Sequence, residues 1–530
     1  MPYPDSARTA VVDGTTVAFD EVERAIRALP RVAAVRVSSQ AGPDGAPRLV
    51  AHVTPAAGGE RAAEVESRRV DEWQSIYEWV YGELPQSGGF GDNFVGWHSS
   101  YTNLPIPLTE MREWRDATVA RILAHRPRRV LEIGVGTGLL MAAVAPTCER
   151  YLATDFSPTA IARLTEQIAA LPELAGRVRL QVREADDFSG LDGEPFDLVV
   201  LNSVAQYFPN ADYLADVIRG ALRLVRPGGA VFAGDIRNLR LLPSFRTAVL
   251  GRSLLDHEGP WAAAEAVRQS CADERELLID PDFFAAVRER TPEAGVLTVR
   301  VKRAVHHNEL SRHRYDAVLY RSCEESAEAG EAARLGTSGE SGEVVGAAVT
   351  LEWGRDVGGA DEIGKRLAEQ APWALRVESV PNARVRHETA AARLVAGGAP
   401  AAEAVAALDA AGADGTDPEE FARVAAAHGY RAAVAWGRSG EPDHIDVVFT
   451  RAAGDESDKG RADHEDHEGG AVPAAVAYTP AGPLDLPFAA YGNDPARAAA
   501  NGFVAALRSE LTPSLPGALM PSAFVLEERP

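Results

Sequence analysis

The chain has 530 residues, too many for one hydrophobic core, so about two to four domains are expected. Hydrophobic residues make up 46% and charged residues 25%, the balance of an ordinary soluble globular protein. With 77 acidic against 54 basic residues the formal net charge is −23, a surface that repels a phosphate backbone and argues against nucleic-acid binding, while a cationic ligand would tolerate it.

Three scattered cysteines, Cys148, Cys271 and Cys323, support neither a disulfide framework nor a thiolate metal site. The start MPYPDSARTA lacks a basic cluster followed by an apolar run, and no stretch approaches ~18 uninterrupted apolar residues. These features predict a cytoplasmic protein with no membrane partner.

In chain order, residues 17–27 read as a helix, with Val22, Ile26 and Leu29 near one face, and 32–38 and 48–53 as strands. They make a small α+β unit within 1–57, followed by a polar link over 57–69. From about 70 to 322 strands alternate with helices: strands at 128–133, 151–155, 178–184, 197–202 and 230–236, with helices at 138–145, 158–170 and 211–225 between them. These strands are short apolar runs rather than alternating ones, which suggests burial on both faces of a parallel sheet. Segments 296–304 and 314–321 read as a closing antiparallel pair.

An acidic low-complexity linker over 323–342 leads to a C-terminal α+β region, 343–530, with helices near 361–370, 417–428 and 496–510 and strands at 375–380, 431–437 and 444–451. Residues 453–470 read as a disordered loop, in which His464 and His467 are solvated rather than metal ligands. No metal site is predicted.

The most informative segment is Leu131-Glu132-Ile133-Gly134-Val135-Gly136-Thr137-Gly138, where a buried strand runs into a turn free of β-carbons. A dinucleotide loop would carry its third small residue at position 139, but Leu139 stands there and the glycine comes one place early, at Gly138. Glu132 is awkward beside a diphosphate and acceptable beside a sulfonium and an ammonium group. Asp155, 19 residues beyond Gly136, suits a pair of ribose hydroxyls, with Phe156 following it. The run Glu184-Ala185-Asp186-Asp187-Phe188 offers an adenine pocket, a carboxylate for the amino group and Phe188 for a wall. Asn202 through Phe208 closes the fourth strand. All four segments fall on the carboxyl edge of an open sheet, where ligands bind. Blander roles stand beside these: a tight turn for the glycines, a helix N-cap for Asp155, a turn carboxylate for Asp187, and packing for Tyr207 and Phe208.

LEIGVGTGLL, TDFSPTAI, EADDFSGL, NSVAQYFPNADYL and GGAVFAGDIRNLRLL, with GWHSSYTNLPIPLTEMREWRDAT upstream and HNELSRHRYDAVLY, VPNARV and AAYGNDPARA downstream, resemble the methyltransferase domains embedded in nonribosomal peptide synthetases. The resemblance covers about 70–530. It implies a class I Rossmann-like α/β sheet flanked by smaller α+β regions, with S-adenosylmethionine as cofactor and S-adenosylhomocysteine as product. Such domains interrupt the small C-terminal subdomain of an adenylation domain and methylate the backbone nitrogen of a carrier-tethered aminoacyl group. Residues 15–55 look like a degraded piece of that subdomain, and LPGALMPSAFVLEERP resembles the stretch before its catalytic lysine. Here no lysine follows Met520, the hinge pattern before Phe19 is missing and no large ATP-binding core is present, so adenylation is not expected. The chain reads as a free-standing or excised methyltransferase.

Methyl transfer to nitrogen needs alignment, exclusion of water and a neutral nucleophile. An α-amine titrates at ~7.7–8.0, so a polar acceptor for its N–H suffices. Candidates are Asn202 and Gln206 near the cofactor, Tyr101 and Ser100 from the lead-in, and Asp235, Arg237, His307 and Glu309 along the rim; His98 matches the family position less well. The cofactor set is Glu132, Gly134, Gly136, Thr137, Gly138, Asp155, Phe156, Ala185, Asp186, Asp187, Phe188 and Asn202. The leading expectation is N-methylation of an amino acid or of an aminoacyl or peptidyl amine, free or presented by a carrier protein. Methylation of carbon or oxygen on a related intermediate, and a non-catalytic scaffold binding synthetase partners, are the competing readings.

Overall fold

The computed structural model describes residues 9–12, 15–29, 32–41, 47–55, 62–83, 88–191, 193–257, 261–323, 349–410, 415–452 and 476–495, and near the C-terminus 507–508, 510–512, 515 and 519–526. The acidic linker past Cys323, the 453–470 loop with His464 and His467, and most of the 496–510 helix lie outside these residues.

The chain divides into two compact units, 1–71 with 272–275 and 494–530, and 72–271 with 276–493. In the smaller, the helix Phe19–Arg27 buries Val22 and Ile26, and the strands Val32–Ala41 and Pro47–Pro55 pair antiparallel. Ala523–Leu526 adds a parallel strand to the edge of Pro47–Pro55, so the two ends of the chain share one sheet.

The larger unit is built on seven strands: β1 (Arg129–Ile133), β2 (Arg150–Asp155), β3 (Val178–Val182), β4 (Phe196–Asn202), β5 (Val225–Arg237), β6 (Ala294–Val301) and β7 (Arg314–Arg321). Their order is β6-β7-β5-β4-β1-β2-β3, with β1 to β5 parallel and β7 antiparallel to both β5 and β6. Both faces are covered, as the apolar runs require. Leu131, Ile133, Val199, Leu201, Val231 and Ala233 turn to a core shared with the helices Ala211–Leu224 and Asp282–Glu289. Val130, Leu198, Val200, Ala230 and Phe232 turn to the opposite core, with Ile122, Met141 and Leu164 from the helices on that side.

A second sheet, of β8 (Val349–Glu352), β9 (Ala374–Pro381), β10 (Tyr430–Trp436) and β11 (His444–Arg451), has the order β8-β9-β11-β10. Its Leu351, Val377 and Phe449, with Phe421 of the helix Pro418–Ala427, belong to the same core as Leu201 and Val231. Residues 349–493 are therefore part of the α/β unit rather than of a separate C-terminal domain, and only the last stretch joins the N-terminal piece.

Two local expectations are corrected. The polar link over 57–69 gives way to a helix, Ala62–Glu83. The helix expected over 138–145 is one turn, Met141–Val144, followed by a 3-10 turn over Ala145–Thr147. Gly138 is left-handed at φ +80° and cannot begin the helix, and Pro146 removes the donor that would extend it. Among the described residues, no helix is long and apolar enough to cross a membrane.

Candidate active site

β1 ends at Ile133, and Gly134, Gly136 and Gly138 follow with φ of +77°, +53° and +80°. The turn is pinned to the neighbouring strand, because Gly134 N and Val135 N both donate to Thr154 O, at 2.8 and 3.0 Å. A β-carbon on Gly134 would lie 2.3 Å from Val204 Cγ2, and one on Gly138 would lie 2.9 Å from Leu164 Cδ2. Thr137 Oγ1 donates to Asn93 O at 2.9 Å, tying the loop to the lead-in segment.

Asp155, at the end of β2, faces this turn and is 4% exposed. Its Oδ2 accepts from Gly136 N at 2.8 Å and its Oδ1 from Ser157 N at 3.0 Å. Burial raises its pKa to about 6 against the pull of those two N–H groups, and Glu78 adds to the rise. The N-cap of the following helix is Ser157, whose Oγ accepts from Ala160 N at 3.1 Å, so Asp155 is free of that task. Phe156 O accepts from Gln74 Nε2 at 2.7 Å.

Glu132, expected beside the cofactor, is held from within the fold. It is buried, and Tyr151 Oη donates to its Oε2 at 2.8 Å. Burial pushes its pKa to about 8, with the Tyr151 bond opposing and Asp155 adding. Burial thus works against the negative charge that the sequence suggests beside a sulfonium.

After β3, Asp187 turns back on its own loop, accepting from Ser189 N at 3.0 Å and Ser189 Oγ at 2.6 Å, with Arg183 beside it at 2.9 Å. Asp186 accepts from Tyr213 Oη at 2.9 Å. Phe188 lies on the helix Ala211–Leu224, its Cε2 only 2.0 Å from where a β-carbon on Gly220 would stand. Here the structure gives Asp187 the turn role and sets the Phe188 ring against a helix, while Ala185 packs on the core.

At the end of β4, Asn202 Nδ2 donates to Ser203 Oγ at 3.1 Å, and Ser203 Oγ donates to Asp235 Oδ2 at 2.7 Å. Asn202 Oδ1 and Gln206 Oε1 are buried and receive no hydrogen bond among the described residues. Asp235 is fully buried at φ +60° and takes Trp114 Nε1 at 2.9 Å and Arg314 Nη1 at 2.5 Å. Burial would raise its pKa; Arg314 and Lys302 outweigh that and hold it ionised.

The other candidates fall into separate contacts. Ser100 N and Oγ donate to Glu309 at 2.6 and 2.9 Å. Tyr101 Oη lies 3.0 Å from His313 Nε2 and donates to Glu388 Oε1 at 3.2 Å. Arg237 donates to Glu276 at 2.8 Å and stacks 5.4 Å from the Phe245 ring. His307 stands apart, paired with Asp417 at 2.5 Å, and His98 is exposed. Among the described residues no group of acidic, histidine and cysteine side chains could hold a metal ion.

Residues 131–231 match the protein family described as a methyltransferase domain. This segment is an S-adenosylmethionine-dependent methyltransferase domain. The methyltransferase domain has relatives in very long synthetases. The chondramide synthase of Chondromyces crocatus is 43% identical over 314 residues, 58% of this chain and 8% of that protein. A probable non-canonical nonribosomal peptide synthetase of Salinispora arenicola is 41% identical over 309 residues, 58% of this chain and 4% of that protein. The chain thus spans less than a tenth of either relative's length. A solved N-methyltransferase, NodS of Bradyrhizobium japonicum with S-adenosylhomocysteine bound, is 15% identical with a TM-score of 0.28, covering 42% of this chain and 98% of that one.

Three partners of the methyltransferase domain escape a reading of the sequence. The helix Ala62–Glu83 brings Tyr81 Oη to 3.1 Å from the position of a Gly136 β-carbon. Its signal is the run Trp73, Tyr77, Tyr81 at i, i+4 spacing inside a polar stretch. His313 and Glu388, 2.7 Å apart, come from segments 75 positions distant and carry no local motif. Trp114 is apolar in the sequence and becomes polar only through its indole bond to Asp235.

Proposed function

We propose that this chain N-methylates an amino acid, or an aminoacyl or peptidyl amine presented by a carrier protein of a nonribosomal peptide synthetase. The observation that carries the reading is the pair of buried carbonyl oxygens at and just beyond the end of β4, Asn202 Oδ1 and Gln206 Oε1, which receive no hydrogen bond among the described residues. An unsatisfied buried acceptor is costly, and an amine supplies the N–H that would relieve it. A carbon nucleophile brings no such donor.

The donor site fits the same edge of the sheet. Gly134, Gly136 and Gly138 keep the turn in left-handed backbone free of β-carbons, with Thr137 between them, and Asp155 keeps lone pairs for ribose hydroxyls beyond its two backbone bonds. Phe156 and the Ala185–Asp186 backbone would flank the base, and Asn202 the methionyl end. When bound, S-adenosylmethionine supplies an electrophilic methyl on a cationic sulfur. The protein's part is to hold the amine neutral and aligned: Asn202 and Gln206 orient the N–H, and the walls around Asp235 and Trp114 exclude water. Tyr101 and Glu309 would shape the approach, while His307, paired with Asp417, would act at most from the rim.

The test is incubation of the purified chain with S-adenosylmethionine and a panel of L-aminoacyl N-acetylcysteamine thioesters, followed by fragment mass spectrometry. Methyl on the amino nitrogen is the expected product. Methyl on carbon or oxygen instead would overturn the assignment.

A further inference from the structure

We infer that the helix Ala62–Glu83 gives the donor site an aromatic roof, centred on Tyr77, that recognises the positive charge of the sulfonium. The reasoning starts from strand order. β1 lies between β4 and β2, so the glycine turn at its end has the end of β4 on one side and the end of β2 on the other. Tyr207 follows β4 and Phe156 follows β2. The Tyr77 ring stands 5.0 Å from Tyr207 and 6.3 Å from Phe156, so it bridges the two flanks and passes over the end of β1. Tyr81, one turn along, lies 5.5 Å from Tyr77 and reaches Gly136, and Trp73, one turn back, packs 4.7 Å from Tyr207.

An adjacent face of the helix fastens it there. Gln74 donates to Phe156 O, and Glu78 accepts from the Thr159 hydroxyl and backbone N–H at the start of the next helix. The rings are therefore held in place rather than resting on the surface. With the ribose at Asp155 on the β2 side and the methionyl group toward β4, a bound cofactor would carry its sulfur above β1, on the side that Tyr77 covers. Faces of aromatic rings attract a cation through their quadrupole, and the attraction strengthens where water is excluded.

Simple packing would produce the same cluster, so the experiment separates charge from shape. It rests on the donor assignment above and compares binding of S-adenosylmethionine with S-adenosylhomocysteine, which lacks the methyl and the charge, by isothermal titration. Tyr77→Leu keeps apolar bulk and loses the ring face. It is expected to weaken S-adenosylmethionine roughly 3- to 30-fold while changing S-adenosylhomocysteine less than about twofold. Tyr77→Phe should leave the ratio of the two affinities near that of the unaltered chain. Equal weakening of both ligands by Tyr77→Leu would overturn the inference and leave the donor site standing. Should that variant bind neither, Tyr207→Leu is read in the same way and an unchanged ratio there overturns it. Failure of the unaltered chain to bind either ligand would bring down the donor assignment itself.

Discussion

Placing an alanine at Gly134 tests the cradle most directly. Two costs arise from separate features. The backbone there is left-handed at φ +77°, a conformation that costs an L-residue with a β-carbon about 1–2 kcal/mol. The new β-carbon would also lie 2.3 Å from Val204 Cγ2 and 3.2 Å from its Cγ1, an overlap of the kind that costs about 1–3 kcal/mol. Gly134→Ala should therefore destabilise the larger unit by about 2–5 kcal/mol. Val204→Ala alone removes two methyl groups and should cost about 1–2 kcal/mol. In the double variant the overlap has no partner, so only the dihedral cost and the lost packing remain. The pair should then be less damaging than the sum by about 1–3 kcal/mol. Urea unfolding followed by circular dichroism measures all four corners of the cycle. Additivity to within about 0.5 kcal/mol would show that Val204 does not close this turn, and the geometry argued for the cradle would be refuted.

Three further outcomes follow from the site's charges. Asp155, with its pKa near 6, accepts ribose hydroxyls best when ionised, so S-adenosylmethionine affinity should hold above about pH 7 and fall toward tenfold per pH unit below its pKa; a flat titration from about pH 5 to 8 would refute the ribose role. Glu132 titrates near 8 in the fold against an ordinary value of 4.5, so its penalty is absent below the ordinary value, grows through the window between them and is complete above it. Glu132→Gln, which still accepts from Tyr151, should accordingly raise stability by a few kcal/mol at about pH 9 and by little at about pH 4.5, read from urea midpoints at the two values. Glu388→Ala would strand Arg312 and His313 beside a buried vacancy, and should cost about 3 kcal/mol in the same unfolding assay; a loss below about 1 kcal/mol would show that the cluster is not a desolvated one.

The parts legible in the sequence are those where one short stretch carries both the backbone constraint and the chemistry. Gly134, Gly136 and Gly138 fall in left-handed backbone as their spacing suggests, and Asp155 ends its strand facing them. The apolar runs of β1, β2, β4 and β5 do form a parallel sheet covered on both faces. What failed to show was set by tertiary packing. Glu132 reads as a charge beside a ligand, yet only the fold shows the loss of water that raises its pKa and the Tyr151 hydroxyl that partly opposes the rise. That Gly220, thirty-two positions on from Phe188, leaves room for its ring against a helix has no signal in the sequence either. The helix over the glycine turn was hidden by its arginine- and glutamate-rich first half, where polarity outweighs three aromatic residues spaced a turn apart. The fusion of the second sheet with the first has no local trace, because Phe449 and Leu201 meet through a shared core rather than through adjacent sequence.

The strand pairing between Pro47–Pro55 and Ala523–Leu526 sets a timetable for synthesis. Ser522 Oγ donates to Leu49 O across 473 positions, so the first strand leaves the ribosome long before its neighbour exists. At ~5–20 residues per second the delay is roughly half a minute to a minute and a half. An unstructured tether of that length would cost about 5 kcal/mol to close. A tether that folds before the second strand emerges has fewer free residues to close, and that lowers the cost.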